Sequence, residues 1–376
     1  MRILINTAST FKGGGIQVAK SFIEECKHFS DNAYFVVLSE PLSRITDINA
    51  FSENFTFLNA PFRPATRFFS FKSHNRFLKD AEEVFKPDVV FTTSGPSYWR
   101  PKAPHLMGYN IPHYIYPESP YFNMISFKRR LWWKAMKIFA HYNFKNNADA
   151  YVVQTDDVNE RLKKFLNKAT VYTVYNTINV HYLNDTKAPN KLPKKNRTEF
   201  RLLTLSAWYP HKNFNIIFKV IEELRKVGET NIKFIVTLKE SDFNASRLVT
   251  IPEVINVGPV KIEDAPSLYK ECDAMFLPTL LECFSASYVE AMKMQKPILT
   301  SNLGFAHTIC KDAAVYFDPI NPLDIANTIS RVKNSSKLQD ELIQKGTKRL
   351  KIFGTPYDRA KKYLEICNLI TNRTNT

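Results

Sequence analysis

Short apolar runs alternate along the chain with stretches whose apolar residues recur at helical spacing. Met1–Asn6, Tyr34–Ser39, Asp88–Thr92 and Ala148–Gln154 read as buried strands. Ile16–Lys27, with Val18, Phe22, Ile23 and Cys26 on one face, reads as a helix, as does Asp157–Phe165. The pattern then breaks at Asn184–Asn196, which is polar, basic and interrupted by Pro189 and Pro193, and restarts after it. Phe200–Ser206, Ile232–Leu238, Ile255–Val257, Ala274–Pro278 and Ile298–Ser301 are the next strands. Helices are expected over Asn213–Val227, Ala265–Glu271, Ala286–Met294 and Pro322–Val332. Strands that are apolar on both faces and alternate with helices predict an α/β chain with two doubly wound, Rossmann-like parallel sheets. The expected domains are 1–184 and 198–352, joined by a linker at 185–197. Ligands of such sheets bind outside the carboxyl ends of the strands. Two domains facing across a cleft would put the site there.

Composition narrows the class. The 376 residues are 44% hydrophobic and 23% charged, which excludes a disordered polyelectrolyte. Five scattered cysteines without CxxC or Cys/His spacing indicate neither a disulfide framework nor a zinc site, and no metal is expected. Met1–Asn6 is too short an apolar run for a signal peptide, and no run reaches the length of a membrane span. A reduced, cytoplasmic protein is the expectation.

The formal net charge is +16, and it is concentrated. The segment 100–147 carries +7, 187–197 carries +5 and 345–362 carries +6. Such patches suit phosphate-bearing partners, and they also suit ordinary solvated faces.

Three clusters have the residue types for chemistry. Lys12-Gly13-Gly14-Gly15 lies between the first strand and the first helix, where missing side chains and a helix start can receive an anion; a plain flexible turn has the same composition. His211-Lys212-Asn213 follows Phe200–Ser206 and offers a lysine to a phosphate, or a charge at a helix start. The third runs from Glu282 to Glu290. Two carboxylates eight residues apart flank a helix start at Phe284 and Ser285, so sugar hydroxyls and an anion could be held together.

Taken together, these residues resemble the retaining glycosyltransferases of the GT-B fold, family 4. Glu282–Glu290 matches the E-x7-E motif of that family. Lys296-Pro297, Ser301-Asn302-Leu303-Gly304, Asp312-Ala313-Ala314 and Phe317-Asp318-Pro319 continue the likeness. Val174–Asn179 resembles the family's domain junction. Phe353 with Tyr357–Leu364 resembles its closing helix, which makes 353–376 a helix expected to cross back to the first domain. Four departures stand out. Trp208 lies where an arginine is usual, Cys283-Phe284-Ser285 replaces a glycine-flanked phenylalanine, and Thr177 and Gln295 replace glycines.

The resemblance implies hexosyl transfer with retention from a nucleoside diphosphate sugar of the UDP or GDP type. No cofactor or metal is implied. Glu290 would bind the ribose hydroxyls and Glu282 the donor sugar, with backbone contacts from Phe284 and Ser285. Lys212, Gly14 and Gly15 would hold the diphosphate, and Gly258 would border the base pocket. Asn110 and His113 are both candidates for a first-domain residue near the sugar. The diphosphate itself would take the acceptor's proton.

The stretch Phe127–Asn146 reads as an amphipathic helix. Leu131, Trp132, Ala135, Ile138, Phe139 and Tyr142 share a side expected to pack on the first sheet. Lys128, Arg129, Arg130, Lys134 and Lys137, with Trp133 beside them, suit an anionic bilayer, and Arg67–Lys72 could join that face. The expected partners are a nucleotide sugar, a lipid-linked saccharide acceptor and the inner face of the plasma membrane, with no nucleic acid. A sugar-nucleotide epimerase or α-glucan synthase keeps the fold with other chemistry. A basic membrane- or nucleic-acid-binding protein needs neither. A melting screen separates these classes: at a hundredfold excess over Kd, UDP or GDP should stabilise an enzyme by about 2.7 kcal/mol, whereas a nucleic-acid binder would respond to an oligonucleotide.

Overall fold

A computed structural model describes residues 1–62, 71–167, 169–183 and 189–374. The basic aromatic text at Arg67–Ser70 falls outside them. The chain forms two compact units. The first comprises Met1–Pro117, Ser126–Asn176 and Thr355–Thr376; the second comprises Glu118–Ile125 and Thr177–Gly354.

The first unit is built on seven parallel strands: β1 (Arg2–Asn6), β2 (Ala33–Leu38), β3 (Phe55–Asn59), β4 (Val89–Thr92), β5 (His105–Gly108), β6 (Ala150–Val153) and β7 (Val171–Thr173). Their spatial order is β3-β2-β1-β4-β5-β6-β7, with Leu4 opposite Phe35 on one side and Val90 on the other. The second unit carries β8 (Phe200–Thr204), β9 (Ile232–Val236), β10 (Val254–Asn256), β11 (Ala274–Leu277), β12 (Ile298–Ser301) and β13 (Val315–Phe317), all parallel, in the order β10-β9-β8-β11-β12-β13. In each sheet the winding reverses once. The reversal lies between β1 and β4 in the first unit and between β8 and β11 in the second. At such a switch point the loops leaving two neighbouring strands diverge and open a crevice at their carboxyl ends.

Apolar burial sets these layers. The helix Ile216–Lys226 buries Ile216, Ile217, Val220, Ile221 and Leu224 against Phe234 and Phe276 of the sheet. The helix Pro322–Lys333 begins where Asn321 Oδ1 accepts from Leu323 N (3.1 Å) and Asp324 N (3.2 Å), with proline at the first position. In the first unit the final helix, Pro356–Thr374, packs Ala360, Tyr363, Leu364, Cys367 and Ile370 into the core of Phe22 and Phe91. The stretch 189–197 is tied within the second unit: Lys191 N and Leu192 N donate to the Glu271 carboxylate at 2.9 and 3.0 Å.

Pattern reading misses β3, β5, β7 and β13. Two of these have only three residues, too few to show a period. β5 opens on His105, a polar residue that is nonetheless fully buried. Burial pushes its pKa down to about 4, so it stays neutral at physiological pH and shares a 2.8 Å hydrogen bond with Thr92 Oγ1.

The helix Phe127–Asn147 departs in part from the expected assignment of faces. Its packed row is Trp133, Lys137, Ala140 and Phe144, spaced by alternate fours and threes. Trp133 stacks on His113 with ring centroids 4.0 Å apart, and Lys137 lies over the Phe165 ring at 5.6 Å. Most of the side expected to pack inward faces solvent instead: Leu131, Trp132, Ile138 and Tyr142 are 50–74% exposed, whereas Phe139 is half-buried and stacks on Tyr98 at 6.1 Å. The error has a physical cause. Periodicity finds an apolar side, but a long lysine stem and an aromatic ring can pack as well as leucine does.

Gly108 lies so near the Thr93 backbone that an added Cβ would sit 2.2 Å from the Thr93 carbonyl oxygen. Gly108→Ala should therefore destabilise the first unit by about 1–3 kcal/mol. Urea unfolding followed by fluorescence checks this; an unchanged midpoint would contradict the close approach.

Candidate functional site

The carboxyl edge of the second sheet carries the predicted residues of the second unit. After β8 the chain makes a short turn, Pro210–Lys212, and Asn213 takes a left-handed conformation at φ +57°. Asparagine is among the few L-residues that adopt it readily. Its amide donates to Pro319 O at 2.8 Å, which fixes the loop leaving β13. After β11, Leu280 N donates to His211 O at 2.7 Å and Thr279 Oγ1 to the same oxygen at 3.2 Å. Two loops from neighbouring strands are thus stitched side by side. Their ends carry Lys212 and Glu282, which form an ion pair, Nζ to Oε1. Glu282 is only 8% exposed, so its charge is held by a partner and not by bulk water.

His211 contributes no second cation. Burial, with the neighbouring Lys212, pushes its pKa down to about 3. Trp208 stacks on Phe214 at 5.4 Å and adds no charge. Lys212 is accordingly the cation of this turn.

The loop then runs through Phe284 and Ser285 into the helix Ala286–Lys293. Ser285 is buried and sits at the N-cap; Phe284 packs edge-on to Phe353 at 6.0 Å. The first-turn N–H groups of this helix thus lie at the carboxyl end of β11. Glu290 sits in the same helix and is buried. Tyr269 Oη donates to Glu290 Oε2 at 3.3 Å. Burial first, and the nearby Glu290 carboxylate second, push the Tyr182 hydroxyl's pKa up, yet that hydroxyl falls short of hydrogen-bond geometry. Burial pushes the Glu290 pKa from 4.5 up to about 7, and the two tyrosines pull it partly back. Gly258, at φ +74°, follows β10 at the same edge, where Asn256 Oδ1 accepts from Gly258 N (3.3 Å) and Leu238 N (2.9 Å).

In the first unit, Gly13 (φ +64°) caps the helix Gly14–Glu25, so Gly14 and Gly15 lie in its first turn. Asn110 Nδ2 would lie 3.5 Å from a Cβ added at Gly15, and Ser94 Oγ donates to Asn110 Oδ1 at 3.0 Å. Asn110 therefore stands with the glycine loop at the β1/β4 switch point, whereas His113 stands against Trp133. Among the described residues, no group of three or more His, Cys, Asp or Glu is placed to hold a metal ion.

Sequence reasoning missed Tyr182 and Tyr269. Neither lies in a spaced motif; each reaches the site from a separate segment. Asn213, named with His211 and Lys212, takes a structural part that the sequence left open, as the left-handed residue of the turn.

Residues 185–349 match the family described as Glycosyl transferases group 1. The O-antigen chain mannosyltransferase RfbU of Salmonella typhimurium is 24% identical over 178 residues, a match spanning 46% of this chain and 46% of that protein. Three solved structures share the fold. Sucrose-phosphate synthase from Thermosynechococcus elongatus is 13% identical with a TM-score of 0.72, covering 99% of both chains. WaaG, a glycosyltransferase involved in lipopolysaccharide biosynthesis, is 15% identical with a TM-score of 0.70, covering 98% of this chain and 99% of its own. Anabaena HepE, in complex with UDP-glucose, is 13% identical with a TM-score of 0.67, covering 97% and 98%. The two parallel-sheet units are thus of the GT-B fold class.

The Glu290 shift has a testable sign. The folded chain holds this proton more tightly than the unfolded chain. Ionising Glu290 therefore costs stability progressively as pH rises from about 4.5 to about 7, and the cost is constant above that. Its full size corresponds to about 3 kcal/mol at most. Glu290→Gln should raise Tm relative to the parent at pH 8 and raise it much less at pH 5; equal shifts at both pH values would contradict the assignment.

Proposed function

We propose that the protein is a retaining glycosyltransferase of family 4. It moves a hexosyl group from a nucleoside diphosphate sugar, UDP- or GDP-linked, to a saccharide acceptor in envelope polysaccharide synthesis. The observation that carries this reading is the Lys212–Glu282 pair at the switch point of the second sheet, with buried Glu290 in the helix that follows Glu282, inside the stretch that matches Glycosyl transferases group 1. The O-antigen relative supports the polysaccharide setting, and the UDP-glucose bound by HepE supports the donor class.

The chemistry follows from the groups present. Glu290 accepts the two ribose hydroxyls, which supply the donors a buried carboxylate needs. Gly258 borders the base. Lys212 turns from Glu282 toward the diphosphate, where negative charge grows as the sugar–phosphate bond breaks. The N–H groups at Phe284 and Ser285 face the sugar, and Glu282 receives its hydroxyls. The acceptor oxygen attacks the anomeric carbon on the face the phosphate leaves. Its proton passes to the departing phosphate oxygen, so neither a protein nucleophile nor a metal ion is required. Gly14, Gly15 and Asn110 form the ligand-facing edge of the first unit.

The acceptor is lipid-linked and the protein works at the cytoplasmic face of a membrane. Support comes from the helix Phe127–Asn147. Its exposed Phe127, Leu131, Trp132, Ile138 and Tyr142 are interleaved with exposed Lys128, Arg129 and Lys134. Apolar side chains ringed by cations suit an anionic bilayer surface. Among the described residues, no helix is long and apolar enough to cross a membrane.

Lys212→Ala should lower kcat about 10²–10³-fold by removing the leaving-group cation. Glu290→Ala should nearly abolish transfer; full activity in either variant refutes the site. Vesicles containing phosphatidylglycerol should sediment the protein at moderate salt. The double change Trp132→Ser with Ile138→Ser should release it. Binding unaffected by that change would place the membrane face elsewhere.

A further inference from the structure

We infer that Glu118–Ile125 is a strap that positions the two loops bearing Lys212 and Glu282, acting through Ser119 and Tyr121. The inference rests on the donor-site reading of those loops. The eight residues precede the helix Phe127–Asn147 in sequence, yet they belong to the second unit. Ser119 is buried, and its Oγ donates to Leu280 O at 2.7 Å across 161 positions of sequence. The same Oγ accepts from Tyr121 N at 3.2 Å, which fixes the direction of its hydrogen. Tyr121 is buried with its ring edge-on to His211 at 6.3 Å.

Leu280 is therefore gripped from both ends. Ser119 holds its carbonyl, and His211 O receives its N–H at 2.7 Å. Lys212 adjoins His211, and Glu282 stands two residues beyond Leu280. Whatever shifts this stitched segment shifts both charged side chains. Near-attack geometry tolerates little: a misplacement of about 1 Å can cost about 10²-fold in rate. Glu290 is held separately by Tyr269, on another helix. The strap should thus govern the leaving-group end of the site and leave nucleoside binding nearly untouched. Ser119 is a positioning residue in this account, since its contacts are to protein groups.

The experiment uses the full chain as parent, Ser119→Ala, Ser119→Thr and Lys212→Ala. Hydrogen exchange by mass spectrometry is followed in peptides covering 207–214 and 278–285, with β8 and β11 as internal references. Release of nucleoside diphosphate from UDP-glucose and GDP-mannose gives kcat, and titration with UDP and GDP gives Kd. Ser119→Ala should speed exchange in the 278–285 peptide about tenfold without changing β8 or β11. It should lower kcat about tenfold while the nucleotide Kd moves less than about twofold, and Ser119→Thr should restore both readouts. Unchanged exchange overturns the strap, as does a Kd that rises in step with the fall in kcat. Exchange needs no donor, so it decides the holding role even if neither sugar is used. If Lys212→Ala turns over normally, the donor-site reading fails; if Lys212→Ala is inactive and Ser119→Ala is normal, only the strap fails. Should Ser119→Ala not fold, Tyr121→Leu removes the other contact and carries the same expectation.

Discussion

Lys212 and Glu282 stand 70 positions apart in the chain, and both are largely withdrawn from water. A buried charge without a partner is costly, so each constrains where the other must be. Their meeting requires β8 and β11 to be neighbours, the loops after both to leave from the same edge, and those loops to be in register. A parallel sheet whose winding reverses between these strands satisfies all three conditions. The hydrogen bonds from Leu280 and Thr279 to His211 O then set the loops to within a bond length. The surrounding arrangement, from the left-handed Asn213 to the Ser119 contact, can be understood as support for this junction.

Glu290 poses the opposite problem. Its neighbours among the described residues are tyrosine hydroxyls, and burial raises its pKa to about 7. A carboxylate in that setting does not stabilise the fold. Its natural complement is a ligand that brings hydroxyl donors and no positive charge, as a ribose does. The site thus combines a pair satisfied within the protein with a carboxylate that the protein satisfies only in part. On the proposed reading, the first holds geometry before substrate arrives and the second gains its partners when substrate arrives.

The surplus charge divides along similar lines. At 189–197 it is tied down, with Lys195 paired to Asp273 and Lys191 to Asp264 at 3.2 Å. On the helix Phe127–Asn147 the cations Lys128, Arg129 and Lys134 stay exposed among exposed apolar side chains. The same residue types therefore serve internal tethering in one segment and present an outward surface in another. Net charge alone does not distinguish the two.

The sequence by itself determined the class of fold and most of its pieces. Nine strands were legible because most are buried on both faces and so read as continuous apolar runs, and the Glu282–Glu290 spacing placed two carboxylates about one helix start. Only the tertiary structure decided which of these pieces meet. Pairing of Lys212 with Glu282, the tyrosines facing Glu290, Asn110 beside Gly15 with His113 apart, and the outward turn of the apolar stripe on Phe127–Asn147 all join segments distant in sequence. Local periodicity records what a residue prefers to bury, whereas the neighbour it is buried against is set by sheet order and loop register. Those come from the folding of the whole chain.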